Sequence, residues 1–261
     1  MARFTRGILV TGGGTFLGDN IASALLAEGA KVSLLLRPDS EDKLGPLAQQ
    51  TRWSTADVWS PASLRGKARN HSAVIHTVGS LSADPAQGLS HSRLNFVSAR
   101  NVANMCVSDG VQRMILISVA SAPWISRAYI HAKRDAERYM LRLGLRAAIV
   151  RAPLLYAPGR SRPLFYRALS LFGVLPPLSW LFLNRIAPMP VDVLARGVAL
   201  LAISGDESRQ LYYARNLRRL IRHGPAQPDT AADQFLPGAA DSDSPYDNLD
   251  EDLPFGWTPG P

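Results

Sequence analysis

An apolar, β-prone run from Gly7 to Thr11 passes directly into Gly12-Gly13-Gly14-Thr15-Phe16-Leu17-Gly18, and Leu17 to Glu28 then has the apolar spacing of a helix. A strand that enters a helix through a glycine-rich turn constrains the fold strongly, because the turn is shaped for close approach of backbone to backbone and of backbone to an anion. Its N–H groups and the positive end of the following helix dipole form a cradle of the kind that holds a pyrophosphate. The alternative is a purely structural turn, and the strand–turn–helix setting favours the cradle.

The rest of the chain fits such a start. Apolar runs at Lys31–Leu36, Thr51–Thr55, Ala73–Val78, Arg113–Ser118 and Arg146–Arg151 alternate with helical stretches at Pro61–Gly66, Asn95–Asp109 and Tyr129–Leu143. Strand and helix in alternation predict βαβ units, hence an α/β fold with a doubly wound parallel sheet. After Arg151 the alternation stops. An apolar stretch broken by Pro176-Pro177 follows, with residues 168–187 expected as a lid or membrane-facing segment. Val191–Ile203 then reads as a helix, Leu211–Tyr213 as a short strand and Leu217–Arg222 as a basic helical turn. Residues 1–224 are expected to form one domain, and 225–261, rich in Pro, Asp, Ala and Gly, a disordered tail that acts as an interaction segment.

Composition removes several classes. The single cysteine, Cys106, rules out a disulfide framework, and five scattered histidines show no zinc-binding spacing. The net charge of +8 divides unevenly: residues 225–261 carry eight acids and no Lys or Arg, leaving a body of 29 basic and 13 acidic groups. That body favours anionic partners, but its cations are spread along the chain without a recognition motif, so nucleic acid is not expected. The N-terminal apolar stretch is too short for a secretory signal, while the stretch Met1 to Arg6, basic through its two arginines and without acids, leaves an uncleaved import signal open. Ala168–Asn184 is uncharged but too short and too proline-broken to span a bilayer, and it has the character of a segment that lies on one.

The string TGGGTFLG resembles the T-G-x-x-G-x-x-G fingerprint of the extended and atypical short-chain dehydrogenases/reductases, the family of NAD-dependent epimerase/dehydratase-like Rossmann domains. Further matches follow in order. Asp57-Val58 resembles the family's adenine-contacting element, Ala73 to Gly79 its fourth strand, Asn95 its central asparagine, Arg151 to Gly159 its R-P-x-x-x-Y-G-P-G segment, and Pro190-Val191-Asp192-Val193 its late V-x-D-V element. The resemblance implies dinucleotide binding by Gly12, Gly13, Gly14, Thr15, Phe16, Leu17, Gly18, Asp57, Val58, Val78, Gly79, Asn95, Lys133 and Pro153. Thr15 departs from the pattern, standing where the family has its middle glycine. Its Cβ crowds the cofactor, although its hydroxyl is able to bond a phosphate. The second strand ends in Arg37, where NAD-preferring members place an acid. Arginine suits a 2′-phosphate, so NADP(H) is expected over NAD(H), the alternative being a solvated arginine.

Tyr129-Ile130-His131-Ala132-Lys133 places a phenol and an ammonium on one helical face. By the resemblance, Tyr129 moves a proton at the substrate oxygen while Lys133 lowers its pKa and holds the ribose. Ala120 aligns with the family's catalytic Ser or Thr, leaving Ser118 or Ser121 as substitute donors. His131 is expected at the surface, His76 as a satisfied buried residue and Cys106 in the core. The likeness is nearest to the nucleotide-binding accessory subunit of respiratory complex I and to the dehydrogenase-like proteins of coenzyme Q (ubiquinone) biosynthesis. Two readings follow. The first is an NADP(H)-binding protein of a quinone-linked or respiratory membrane assembly, its cofactor structural or regulatory. It would bind complex subunits through 225–261 and a membrane through 168–184, on the matrix side of the mitochondrial inner membrane or the cytoplasmic face of a bacterial one. The alternative is an active NADP-dependent oxidoreductase using Tyr129, Lys133 and Ser118 on a small or isoprenoid carbonyl.

Overall fold

In the computed structural model, the described residues are 7–157, 188–204 and 209–223. The expectations for 168–187 and 225–261 therefore lie outside the described residues. Seven strands form one sheet in the order β3-β2-β1-β4-β5-β6-β9: β1 (Gly7–Gly13), β2 (Val32–Leu36), β3 (Arg52–Thr55), β4 (His71–His76), β5 (Arg113–Val119), β6 (Arg146–Ala152) and β9 (Leu211–Tyr213). Every neighbouring pair is parallel. The order runs outward in both directions from β1 and β4, which is the doubly wound arrangement anticipated from the alternation.

Both faces of the sheet are covered, and the strand sequences show why. Along β1, Ile8 and Val10 enter one buried cluster while Leu9 enters the other, and β5 repeats this with Ile115 and Ile117 against Met114 and Leu116. Side chains two residues apart share a face, so a strand apolar at every position needs helices on both sides. Helix α1 (Phe16–Ala27) and the Val191–Ser204 helix cover one face; beyond the short α2 (Leu47–Gln50), α3 (Pro61–Leu64) and α4 (Ser98–Ser108) cover the other. Cys106 lies in this second layer, and burial pushes its thiol up to about 12.

Three features differ from the sequence expectation. β4 starts at His71 and ends at His76, because Gly7 already pairs with His71 and the chain then turns away, leaving Val78 and Gly79 in the loop beyond it. The helix expected from Asn95 begins as a π-helical turn, Ser92–Val97. Here the Asn95 side-chain amide donates to the carbonyl of His91, the acceptor that lies four residues back. Finally, β7 (Leu155–Tyr156) and β8 (Met189–Pro190) form a small parallel pair of their own. Neither is long enough to leave a periodic signal.

Candidate functional site: a glycine turn and a buried tyrosine–lysine pair

The glycine turn joins β1 to α1 at the carboxyl edge of the sheet. Gly12 and Gly14 have φ of 97° and 76°, a region open to glycine at little cost. Gly18 is required for a different reason. A Cβ there would stand 2.0 Å from the Gly12 carbonyl oxygen, so its absence lets the helix close onto the strand. Gly13 is less confined: a Cβ there would meet the side chains of Leu36 and Leu34 at 3.0 and 3.1 Å. Thr15 is the N-cap of α1: its hydroxyl donates to the Gly12 carbonyl at 2.6 Å and accepts from the Gly18 N–H at 3.2 Å. The Thr15 hydroxyl expected as a phosphate ligand thus closes the turn on itself. The carboxylate of buried Asp19 accepts the Gly14 N–H at 2.8 Å. Phe16 and Leu17 occupy the first two helical positions, whose N–H groups have no intrahelical acceptor. These two donors, at the positive end of α1, fit a pyrophosphate.

The next strands supply the flank of this cradle. Arg37 follows the last residue of β2 and is half-buried. Asp57 uses one carboxylate oxygen to accept the Trp59 N–H, while its own N–H donates to Ser63. Val58 is fully buried, and Asn101 donates to the carbonyls of Val58 and Trp59, fixing the loop after β3.

Beyond β4 the backbone approaches the helix that carries the tyrosine, α5 (Arg127–Arg142). Gly79, at φ 157°, lies so near that a Cβ would be 2.4 Å from Asn95 Oδ1 and 2.6 Å from Lys133 Nζ. Asn95 accepts the Ser80 N–H and donates to the Ser80 and His91 carbonyls, tying both ends of this loop together. Lys133 is wholly buried and donates to the Val78 and Ile117 carbonyls at 3.4 and 3.3 Å. Burial takes its pKa down to about 7, against the pull of Glu137.

Tyr129 is also wholly buried, with the Lys133 ammonium 6.0 Å from its ring centre and its hydroxyl without a partner. Burial pushes the phenol well above its ordinary pKa, against the opposing charge of Arg134, so it holds its proton at neutral pH. His76 was expected to be satisfied and is so at one nitrogen: Nδ1 lies 2.8 Å from the Thr11 hydroxyl, whereas buried Nε2 has no partner. Burial and the Lys133 charge bring it down to about 3, leaving the ring neutral.

Tyr129, Lys133, Asn95, Val78 and Gly79 thus come together. Ser118 is directed elsewhere. Its neighbours Ile117 and Val119 belong to the buried cluster that includes Tyr129, so strand parity turns Ser118 to the other face. There it donates to Glu137 at 2.5 Å and accepts from Arg134. Glu137 also receives two hydrogen bonds from Arg151, which reaches on to Tyr213. Burial alone would raise the Glu137 carboxyl, but Arg151, Ser118 and Arg134 together hold it below the usual carboxylate range. Arg134 additionally donates to the Val119 carbonyl and to Ser121, so Ser121 is engaged as well. Ala120 offers no hydroxyl, and buried Pro153 closes the turn between β6 and β7.

Sequence reasoning missed this ion cluster, whose signals were the Arg134 to Glu137 helical spacing and the parity of β5. It also missed His91, which packs edge-on against Tyr129 with ring centres 5.7 Å apart and whose Nδ1 is buried without a partner. No motif marks His91. Among the described residues there is no group of side chains placed to hold a metal ion, and no helix long and apolar enough to cross a membrane.

Comparison with known proteins bears on the same elements. Residues 12–168 match the family described as NAD(P)H-binding. Ceramide reductase of Caulobacter vibrioides (strain NA1000 / CB15N) is 29% identical over 204 residues, covering 76% of this chain and 62% of that protein. The chain therefore spans less than two thirds of this relative's length. Among solved structures, a candidate epimerase from Burkholderia cenocepacia J2315 superposes with a TM-score of 0.60 at 19% identity, covering 84% of this chain and 80% of the other. A short-chain dehydrogenase/reductase from Veillonella parvula DSM 2008 in complex with NADP gives 0.56 at 13% identity, over 78% and 89% of the two chains. The dTDP-glucose 4,6-dehydratase DesIV of Streptomyces venezuelae, with NAD bound, gives 0.53 at 21%, over 74% and 71%. These structural likenesses establish the fold.

Proposed function

The chain belongs to the NAD(P)H-binding family, and on that premise we propose that it is an NADP(H)-dependent reductase of the short-chain dehydrogenase type, acting on a carbonyl of an apolar, lipid-like substrate. When bound, the dinucleotide supplies the hydride. The observation that carries the reading is the Tyr129 hydroxyl: buried, protonated and without a partner, four residues ahead of buried Lys133. A phenol held in its acid form suits the reducing direction, in which the new alkoxide must take up a proton. The likeness to a ceramide reductase supports a lipid-like substrate. The Phe16 and Leu17 N–H groups would hold the pyrophosphate, Lys133 the ribose, and Arg37 a 2′-phosphate.

Purified protein tests this directly. Wild type should oxidise NADPH in the presence of a long-chain methyl ketone, and Tyr129→Phe should not, while binding NADPH with nearly unchanged affinity. Equal turnover by the two proteins would remove Tyr129 from the chemistry.

One observation favours a second reading, a cofactor-binding subunit without turnover. Ala120 lacks the expected hydroxyl, and Ser118 is tied to Glu137. Under that reading the tail 225–261 docks to a quinone-linked membrane assembly, and 168–184 contacts the membrane. NADPH binding without consumption by any ketone would support it.

A further inference from the structure

His91 stands at the start of the π-helical turn and sets its ring against that of Tyr129, with 62° between the planes. One bond fixes which of its nitrogens carries hydrogen. The Ser80 backbone carbonyl takes the ring N–H of His91, and the Asn95 amide donates to that same carbonyl and to the carbonyl of His91. Nδ1 has no hydrogen-bond partner, so the N–H given to Ser80 is that of Nε2, and Nδ1 presents a bare lone pair. Burial lowers the His91 pKa, against the Ser80 bond, and the ring is neutral at neutral pH. Nδ1 is thus an enclosed acceptor. The Tyr129 hydroxyl, on the ring it packs against, is an enclosed donor that holds its proton, and neither atom satisfies the other. Enclosed polar groups without partners are costly, and a ligand that pairs with both relieves them together. The complement of this pair is a molecule with an acceptor and, close to it, a donor. A plain ketone meets half of the demand, since its oxygen accepts from Tyr129 and it has no hydrogen to give.

We infer that the site takes a carbonyl compound with an O–H or N–H on the carbon next to the carbonyl, and that His91 Nδ1 accepts that hydrogen while the carbonyl oxygen accepts from Tyr129. This rests on the reductase reading above and narrows its substrate to an α-hydroxy or α-amido ketone on an apolar chain. The contact between the two rings keeps donor and acceptor near one another, which places the substrate's donor beside its carbonyl. His91 selects the substrate and stays outside the chemistry. As hydride adds to the carbonyl carbon, the C=O electron pair moves to oxygen, that oxygen takes the Tyr129 proton, and His91 neither gains nor loses one. A substrate without the donor leaves Nδ1 enclosed and unpaired, the means by which a polar site rejects an analogue lacking one hydroxyl.

The test uses the full chain and two probes of equal length, a long-chain 1-hydroxy-2-ketone and the matching methyl ketone. With NADPH, wild type should favour the hydroxy ketone in kcat/KM by about 10–100-fold, the usual consequence of leaving one buried acceptor unpaired. His91→Phe should reduce that preference by about 10-fold or more, a comparison in which the intrinsic reactivities of the two ketones cancel. His91→Asn, whose carboxamide oxygen supplies a lone pair, should restore part of it. Nitrogen-15 NMR of imidazole-labelled protein with NADP+ should show His91 Nδ1 without hydrogen, its signal moving on addition of the hydroxy ketone and not of the methyl ketone. An unchanged preference in His91→Phe, or an Nδ1 that carries hydrogen, overturns the assignment while leaving the reductase reading intact. If wild type consumes no NADPH with either ketone, the reductase reading fails, and the NMR signal decides the assignment by itself: a shift with the hydroxy ketone alone supports it, and no shift overturns it. Should His91→Phe not fold, the NMR result on the native chain still decides.

Discussion

The glycine turn and the tyrosine end of α5 stand at the same carboxyl edge of one sheet, yet they treat their polar groups in opposite ways. In the turn, Gly14 bonds to Asp19, and Thr15 bonds to both Gly12 and Gly18, so the loop is shaped by its own contacts. Around α5 the Tyr129 hydroxyl, His91 Nδ1 and His76 Nε2 are enclosed without partners. The turn is therefore organised before any ligand arrives. The α5 end keeps its polar atoms in reserve, at a cost in stability that the surrounding apolar packing offsets.

The contrast predicts that damage to the turn affects fold and binding together, whereas changes at α5 separate stability from function. The largest effect is expected for Gly18→Ala, whose Cβ would meet the Gly12 carbonyl at 2.0 Å and push α1 off the sheet. Tm should fall by about 10 °C or more, as a loss of roughly 4 kcal/mol does in a domain of this size, and NADPH binding should vanish. A Gly18→Ala protein with native Tm and affinity would show that the turn is not self-supporting.

Lys133→Met should act in the other sense. The folded-state pKa of Lys133 is reduced from 10.5 to about 7, so between those values the unfolded chain binds the additional proton. Wild-type stability should accordingly rise with pH across that window, and the contribution is absent below it. Replacing the ammonium should flatten this rise and stabilise the cofactor-free protein at neutral pH by an amount on the order of a few kcal/mol, while removing activity. Denaturant melts at a series of pH values decide, and an unaltered slope in Lys133→Met would mean that Lys133 is charged in the folded protein.

The smallest effect belongs to Arg37, on the flank of the cradle. Arg37→Ala should weaken NADPH by about 1.5–3 kcal/mol, the range for a charge-assisted hydrogen bond, and leave NADH nearly untouched. Calorimetric titration with both dinucleotides checks this. Equal losses would show that Arg37 does not read the 2′-phosphate.

Much of this molecule was legible in the sequence for a simple reason: local signals and global fold agree. The run Gly7 to Gly18 is readable because strand, turn and helix are each set by residues adjacent in the chain, and the apolar strands reveal their two-sided burial directly. Tyr129 and Lys133 share a face by helical spacing alone. What remained hidden depends on contacts between distant segments. Ser118 looked available until β5 placed it opposite Glu137 and Arg151, which belong to other elements. Thr15 looked like a phosphate ligand until its hydroxyl was seen closing the turn. His91, with no motif around it, acquires meaning only because Asn95 pins the loop and α5 sets Tyr129 against its ring. The sequence by itself determined the alternating α/β order, the glycine cradle and the tyrosine–lysine face, all consequences of short-range periodicity and backbone freedom. Tertiary structure alone decided which polar atoms are bonded and which are left enclosed, because burial and hydrogen-bond partners are properties of chain segments that meet only when the sheet is assembled.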